Sequence, residues 1–215
     1  MYFCRKIEVK MNYLQFRNRF FELGCFGVHQ IYAWRADFDK GNLTRWTKQN
    51  LLVKLRNGHY SFPEYLHQPD FAFFVSNRIY RPSYVSLHTA LAFYGMIPEA
   101  VVQISAVSTL KKASFENAFG AFSYQQVAPD LLFGYDAKPF SNGGTLSFAQ
   151  PEKALLDLLY LYPFYNTAQE LEELRLDEDF LQRDFNVELF NKYACQFHSK
   201  ALSKRAELLL KTYNL

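Results

Sequence analysis

Helical spacing of apolar residues marks the first part of the chain. Apolar side chains recur at intervals of three and four residues, at Tyr13, Phe16, Phe20 and Leu23. This spacing predicts a helix over residues 12–23, which Gly24 ends. A second short helix is predicted over residues 27–35, with Ile31 and Trp34 facing inward.

The next stretch predicts a third helix with an apolar side and a polar side. Asp37 or Asp39 is placed to cap it, and it extends to about residue 50. Its apolar side carries Leu43, Trp46, Thr47 and Asn50. Its opposite side carries Arg45, Lys48 and Gln49, with Asn42 at the margin. Because they lie opposite the apolar side, we expect these polar side chains to face solvent.

The dipeptide Asn57-Gly58 lies between two short alternating stretches and predicts a β-hairpin. Both positions of this preferred two-residue turn tolerate a positive φ. The turn fixes the expected cross-strand pairs, which are Arg56 with His59, Leu55 with Tyr60, Lys54 with Ser61, and Val53 with Phe62. This register places the apolar pairs on one face and the polar pairs on the other, and a slip of one residue would destroy that arrangement.

A stretch without clear periodicity separates two parts of the chain. Its prolines are Pro63, Pro69 and Pro82. An apolar run at residues 71–75 lies within it and is expected to pack. We therefore predict a first domain over residues 1–78 and a second over residues 79–215.

The second domain is predicted to be α+β. Ser83 is placed to cap a helix that runs to residue 94 and ends at Gly95. Strands are predicted at residues 101–109, 119–127, 131–135 and 145–149, the last after a turn at Asn142-Gly143-Gly144. Pro151 occupies the first position of a helix that runs to residue 162, with Glu152 near its positive end. The tail from Thr167 onward has a helical pattern.

Composition narrows the class of protein. The 215 residues are 49% hydrophobic and 18% aromatic, which excludes global disorder and is typical of a folded globular chain. The 3 cysteines form no C-x-x-C motif, which argues against a disulfide framework or a zinc knuckle and favours a reducing compartment. Neither a signal-peptide core nor a run of about 18 apolar residues occurs, so we expect a cytoplasmic protein without membrane contact.

Charge is distributed unevenly along the chain. Residues 1–78 hold 12 Lys and Arg against 6 Asp and Glu, a net charge of +6, whereas residues 79–215 hold 12 against 15, a net charge of −3. No acidic residue occurs in residues 40–63. A basic first domain beside an acidic remainder indicates that the first domain meets a polyanion.

Three helices followed by a two-stranded hairpin are typical of a winged helix-turn-helix that binds DNA. Its third helix is expected to enter the major groove, while the hairpin forms the wing and contacts phosphates. The residues predicted to bind DNA are Lys40, Asn42, Arg45, Lys48, Gln49, Lys54, Arg56, Asn57 and His59. Of these, Arg45, Lys48 and Gln49 are expected at base edges, and Lys54, Arg56 and His59 at phosphates. His59 is equally explained as an exposed flank of the turn. A protein-interaction module that uses the same surface is the alternative.

The sequence lacks the common catalytic and metal-binding motifs. No H-E-x-x-H, G-x-S-x-G or glycine-rich phosphate loop occurs, so we predict no catalytic residue, no cofactor and no metal. Ser86 and His88 point about 200° apart on one predicted helix and cannot form a nucleophile–base pair. Lys153 and Asp157 are expected to pair on a helix surface beside Glu152, in a structural or partner-facing cluster. An enzyme that acts on nucleic acid through the second domain is a further alternative.

The order of these features resembles that of AbiEi-type antitoxins, from bacterial type IV toxin–antitoxin and abortive-infection systems. The similarity begins in the wing at residues 52–60. It continues at residues 84–98, which are YVSLHTALAFYGMIP, and ends at residues 148–160, which are FAQPEKALLDLLY. The P-E-K-A-L-L-D core of the last segment is the most specific part. Together the similar features span residues 12–162.

This resemblance implies a function for each domain. The winged helix would bind inverted repeats upstream of its own operon, as a cytoplasmic transcriptional autoregulator. The second domain would neutralise a nucleotidyltransferase-like toxin without needing a stable complex with it. Residues 151–157 would then be structural or antitoxic. Operator symmetry makes a dimer, or two monomers on adjacent half-sites, geometrically natural.

Overall fold

The protein has a mixed α+β fold that divides into two compact units. The computed structural model describes residues 12–140 and 144–215. The units are Met1–Gln68 and Pro69–Leu215, so the division falls ahead of the expected boundary at residue 78. The first two residues of the predicted turn at Asn142-Gly143-Gly144 lie outside the described residues. Of the helices that the structure describes, none is both long and apolar enough to cross a bilayer.

The first unit contains the three helices and the hairpin that the sequence predicts, together with one further strand. In chain order its elements are α1 (Tyr13–Phe20), β1 (Cys25–Gly27), α2 (Val28–Trp34), α3 (Gly41–Lys48), β2 (Val53–Arg56) and β3 (His59–Ser61). A 3-10 turn at Phe21–Leu23 extends α1 to Gly24, which has a φ of +66°. At the other end of α1 the Asn12 side chain accepts a hydrogen bond from the Leu14 backbone N–H.

An aromatic core centred on Phe16 joins the elements of the first unit. The Phe16 ring lies 4.8 Å, between centroids, from the rings of both Phe20 and Trp46. The ring of Phe26 lies 5.5 Å away. All four side chains are buried. Because they come from α1, β1 and α3, burial of these rings fixes the two helices against the sheet.

The sheet of the first unit has the order β1-β3-β2, with both pairings antiparallel. Strand β1 has no counterpart among the predicted elements. Its three residues carry no alternation that would mark a strand. Cys25 pairs with Ser61, whose hydroxyl also donates a 2.6 Å hydrogen bond to the Gly24 carbonyl. The hairpin is therefore held in place by β1 and Gly24 as well as by its own turn.

The register of the hairpin differs from the predicted one beyond its first pair. Arg56 pairs with His59 as expected, but Lys54 pairs with Tyr60 and Val53 with Ser61. The predicted pairs of Leu55 with Tyr60, Lys54 with Ser61, and Val53 with Phe62 are therefore wrong.

A β-bulge at Leu55 accounts for this shift. Of the two turn residues, only Gly58 has a positive φ, +79°. The turn therefore differs from the expected type, in which both residues have a positive φ. The extra residue in β2 lets Leu55 and Tyr60 both be buried while Lys54 stays exposed. The apolar side chains are therefore buried even though β2 does not alternate strictly between its two faces.

The second unit contains a mixed sheet, and its helices come before, between and after the strands in the sequence. Its first elements are α4 (Phe71–Ile79), β4 (Ser83–Val85), α5 (Leu87–Phe93), β5 (Gln103–Ser108), β6 (Ala113–Asn117) and β7 (Gly120–Gln126). Its later elements are β8 (Tyr135–Pro139), β9 (Thr145–Ala149), α6 (Pro151–Leu161), α7 (Ala168–Glu172), α8 (Glu178–Arg183), α9 (Val187–Gln196) and α10 (Lys200–Thr212). The strand order is β6-β7-β5-β4-β9-β8, with β4 parallel to β9 and β5 parallel to β7.

Several predicted elements of the second unit are confirmed. Strand β9 has the predicted bounds, and β5 and β7 fall within their predicted ranges. Helix α6 begins at Pro151 as expected, and the tail from Thr167 is helical. Residues 152–159 of α6 are all buried, where the helix contacts α5, α9, α10 and β9.

Other predictions for the second unit are wrong. Ser83 does not cap a helix, because Ser83–Val85 forms β4 between β5 and β9, and this pairing overrides the local helical spacing. The strand expected at residues 131–135 begins only at Tyr135. Pro129 starts a 3-10 turn there instead.

Two elements of the second unit, α4 and β6, were not predicted at all. Helix α4 contacts β4, β5 and β9, which is why the units divide before it. The apolar run at residues 71–75 therefore belongs to the core of the second unit, and it packs as expected.

We expect Phe16→Ala to destabilise the first unit by about 3–5 kcal/mol, because it leaves a cavity among packed aromatic rings. Both tryptophans, Trp34 and Trp46, lie in this unit. Tryptophan fluorescence during urea unfolding of the full chain therefore measures its stability separately. Leu14→Ala on the same helix is the control, because Leu14 is 61% exposed, and its effect should stay within about 0.5 kcal/mol. Equal effects of the two substitutions would contradict the proposed core.

Candidate nucleic-acid interface

Helix α3 buries an apolar side and exposes a polar one, as its sequence predicts. Leu43 and Trp46 are buried at 1% and 2% exposure. Thr44, Arg45, Lys48 and Gln49 are exposed. At the start of the helix, Asp39 Oδ1 accepts a 2.8 Å hydrogen bond from the Gly41 backbone N–H. This bond confirms that Asp39 supports the helix start.

The exposed residues of α3 line a shallow depression. Its lining consists of Gly41, Thr44, Arg45, Lys48 and Gln49. Two cations and an amide therefore face one open surface, and Gly41 leaves space at the N-terminal end of it. Such donors suit phosphate oxygens and the acceptor atoms of bases.

Asn42 does not lie on the outward face, which corrects the prediction for this residue. Its side chain is 7% exposed, and its Oδ1 accepts a 2.7 Å hydrogen bond from Arg45 Nη2. The helical margin that the spacing gives to position 42 is covered by the rest of the unit. Asn42 therefore contacts Arg45 rather than the surface of a ligand.

Lys40 is exposed just before α3, and the hairpin carries the other predicted DNA-binding residues. Lys54 and Asn57 are exposed, whereas Arg56 and His59 are half-buried. The Gly58 carbonyl accepts a 2.8 Å hydrogen bond from the Val28 backbone N–H, which ties the turn to the start of α2. The hairpin is thus a fixed projection. The segment between α3 and the hairpin is held against the end of α3, because the Trp46 carbonyl accepts hydrogen bonds from the Leu51 and Leu52 backbone N–H groups.

Within the part of the chain that the structure describes, the carboxylates of the first unit that form ion pairs have Arg17 and Arg35 as partners. Arg17 pairs with Glu64 at 3.0 Å, and Arg35 pairs with Asp37 at 2.9 Å. No described carboxylate pairs with the exposed cations Lys40, Arg45, Lys48 and Lys54. Their positive charge is therefore uncompensated, which favours a polyanionic ligand.

The second unit contains a different polar cluster, around Lys153 and Asp157. The two residues pair as predicted, but not on the surface, because both side chains are 0% exposed. Tyr84 and Ser86 each donate a 2.8 Å hydrogen bond to Asp157 Oδ2. Lys153 Nζ donates to Asp157 Oδ1 and, at 2.7 Å, to the Tyr84 hydroxyl. The carboxylate thus receives bonds from three side chains.

Burial shapes the protonation of this cluster. Desolvation raises the pKa of Tyr84 well above its usual value, and the negative charge of Asp157 raises it further. Desolvation lowers the pKa of Lys153, which the adjacent Asp157 opposes. The rings of Phe133 and Phe197 lie 4.8 Å from Lys153 Nζ and supply cation–π contacts.

Glu152 has a structural contact of its own. It is 4% exposed, and its Oε1 accepts a 2.8 Å hydrogen bond from the Asn186 backbone N–H. Asn186 in turn caps α9 through its side chain. Glu152 therefore connects α6 to the start of α9. Because Glu152, Lys153 and Asp157 are all buried, their side chains do not form a partner-facing surface.

Ser86 and His88 have separate surroundings, but they do not lie on one helix as predicted, because Ser86 is extended and precedes α5. Ser86 is buried and bonded to Asp157, whereas the His88 ring lies 6.0 Å from that of Tyr162. Desolvation lowers the pKa of His88. Among the described residues, no group of three His, Cys, Asp or Glu side chains could hold a metal ion.

No protein-family model and no curated protein sequence matches the chain. The chemistry of its own residues therefore carries the functional assignment. The feature of the first unit that folding explains least is its set of exposed cations, Lys40, Arg45, Lys48 and Lys54, with which no described carboxylate pairs.

We expect Asp157→Ala to destabilise the second unit by about 3–5 kcal/mol, because it leaves Lys153 charged, buried and without its partner. Replacing both residues, as in Lys153→Met with Asp157→Leu, should cost less than Asp157→Ala alone. Far-UV circular dichroism during urea unfolding measures both effects.

A matched control has the same spacing on an exposed helix. Asp179 pairs with Arg183 at 3.8 Å, with 82% and 75% of the two side chains exposed. Asp179→Ala should therefore change stability by less than about 1 kcal/mol. If Asp157→Ala reduced stability as little as Asp179→Ala does, the buried pair would contribute no more to stability than a surface pair.

Proposed function

We propose that the first unit is a winged helix that binds duplex DNA, and that the chain is a transcriptional autoregulator and antitoxin. The observation that carries the DNA-binding proposal is the exposed set of cations on α3 and β2, with no described carboxylate paired to Lys40, Arg45, Lys48 or Lys54. The charge of the unit is therefore directed outward rather than used in folding.

The element order supports a winged helix. Helix, strand, two helices and a hairpin follow one another, and β1 completes the small sheet beside β3. In proteins of this class the last helix before the hairpin enters the major groove. Helix α3 has 8 residues and is therefore roughly 12 Å long. Its diameter with side chains, about 10–12 Å, fits a major groove about 12 Å wide.

The roles of individual residues follow from their positions. Arg45, Lys48 and Gln49 line one depression and are proposed to contact base edges. Lys40, Lys54, Arg56 and His59 are proposed at phosphates, with Asn57 at the turn between the strands. Each cation that neutralises a phosphate releases a condensed counterion, so binding weakens as salt rises.

The antitoxin activity of the second unit rests on the sequence resemblance. The buried positions of Glu152, Lys153 and Asp157 favour a structural role for residues 151–157. Contact with a nucleotidyltransferase-like toxin would then use other residues on the surface of the unit. The proposed regulator acts in the cytoplasm, as a monomer or a dimer on inverted repeats.

We expect the full chain to bind the roughly 150 base pairs upstream of its own start codon more tightly than a scrambled duplex, with affinity that falls steeply with salt. Lys54→Gln should weaken binding to both duplexes and reduce the salt slope by about 0.9. Fluorescence anisotropy at several salt concentrations measures both effects.

The control for this titration is Lys112→Gln, which removes an exposed lysine of the second unit. It should leave the salt slope unchanged. Equal or absent binding to both duplexes would instead favour a protein-contact module.

We expect the chain to restore growth to cells that express the neighbouring nucleotidyltransferase-like protein. The double variant Lys48→Gln with Lys54→Gln should still restore growth when it is expressed from an unrelated promoter, because the proposed antitoxin activity belongs to the second unit. Asp157→Ala should fail, because that unit loses stability. Growth that depends on Lys48 and Lys54 would assign the protective effect to DNA binding instead.

A further inference from the structure

The Arg45 side chain is held in place before any ligand arrives. Its Nη2 donates a 2.7 Å hydrogen bond to Asn42 Oδ1, three residues earlier on α3. Because Asn42 is buried, its amide has little room to move. A guanidinium has no acceptor, so the amide atom that faces Arg45 is the oxygen. The hydrogen bond therefore fixes the orientation of an otherwise exposed guanidinium.

The bond to Asn42 leaves Arg45 with a pair of adjacent donors. An arginine has five N–H groups, and Asn42 uses one of the two on Nη2. The other Nη2 proton lies parallel either to the Nε proton or to one Nη1 proton. In both cases two neighbouring donors point the same way. Among the described residues, only Asn42 is hydrogen-bonded to this guanidinium.

The position of this donor pair suits contact with a base edge. Asn42 lies in the first turn of α3, so its bond draws the guanidinium towards the N-terminal half of the helix. Gly41 and Thr44 line the same depression. The N-terminal residues of a recognition helix are the ones that contact bases.

The donor pattern selects one base. In the major groove guanine presents two adjacent acceptors, O6 and N7, whereas adenine presents an acceptor beside a donor. We propose that Arg45 binds O6 and N7 of a guanine, with Asn42 as its positioning residue, so that the DNA sites of this chain carry guanine at one fixed position. The assignment rests on the proposed DNA binding of the first unit.

The test begins with selection of binding sites by the full-length protein from a duplex library with a randomised centre. A selected duplex is then titrated beside copies in which each guanine in turn is replaced by 7-deazaguanine, which lacks N7 but still pairs with cytosine. At one position we expect the replacement to weaken binding at least about fivefold. Arg45→Ala, which removes every donor of the side chain, should bind that modified duplex and the unmodified one equally.

Two further variants separate positioning from charge. Asn42→Ala keeps every cation, so it should reduce the preference for guanine while the salt slope stays the same. Lys54→Gln, which removes a proposed phosphate contact, should weaken binding to all duplexes, lower the salt slope by about 0.9 and keep the guanine preference. Asn42 is buried, so tryptophan fluorescence checks that its variant is folded. Arg45→Ala removes an exposed group and tests the proposal even if Asn42→Ala fails to fold.

The outcomes distinguish this inference from the function on which it rests. Selected sites without a shared guanine, or equal binding of every 7-deazaguanine duplex, would overturn the role of Arg45 while DNA binding stands. A guanine preference that persists in Arg45→Ala would have the same meaning. Failure to bind any duplex, even at low salt, would overturn the proposed function itself.

Discussion

Burial of the Lys153–Asp157 pair constrains the second unit more than any other interaction described. Removal of two charges from water costs several kcal/mol for each ion, and the cost is offset only if the remaining hydrogen-bonding capacity is satisfied. Asp157 therefore needs donors beyond Lys153, and it finds them in Tyr84 and Ser86. Both come from β4 and the residue after it. Helix α6 can be buried only where β4 lies beneath it, parallel to the strand that leads into α6.

The same constraint extends into the loops and the helical tail. Glu152, beside the pair, accepts the backbone N–H of Asn186 and so fixes the start of α9. Gly134 has a φ of +67°, and a Cβ at this position would lie 3.0 Å from Lys153 Cγ. The chain before β8 therefore passes so close to the buried lysine that a side chain would collide with it. Packing around one ion pair thus links β4, α6, α9 and the approach to β8.

The sequence allows local elements to be predicted well and their pairing poorly. Amphipathic helices such as α3 and the turn at Gly58 leave a strong local signal, since periodicity and a positive φ are properties of neighbouring residues. Strands β1 and β4 have three residues each and exist only because distant strands pair with them. The bulge at Leu55 and the burial of Asp157 are likewise set by contacts far along the chain. Helical spacing gives the partner of Asp157 but cannot show whether water surrounds it.

The candidate site shows the same limit on a smaller scale. Spacing along α3 identifies the exposed cations, yet it also places Asn42 among them, because a residue at the margin of a helix is buried or exposed according to its neighbours. In the second unit Glu152, Lys153 and Asp157 are buried and bonded, so these three charges serve the fold. In the first unit Lys40, Lys48 and Lys54 stay exposed, and no described carboxylate offsets them. An excess of charge of one sign opposes compactness through self-repulsion. A bound polyanion would relieve that repulsion, so the arrangement gains from a ligand what it does not gain from folding.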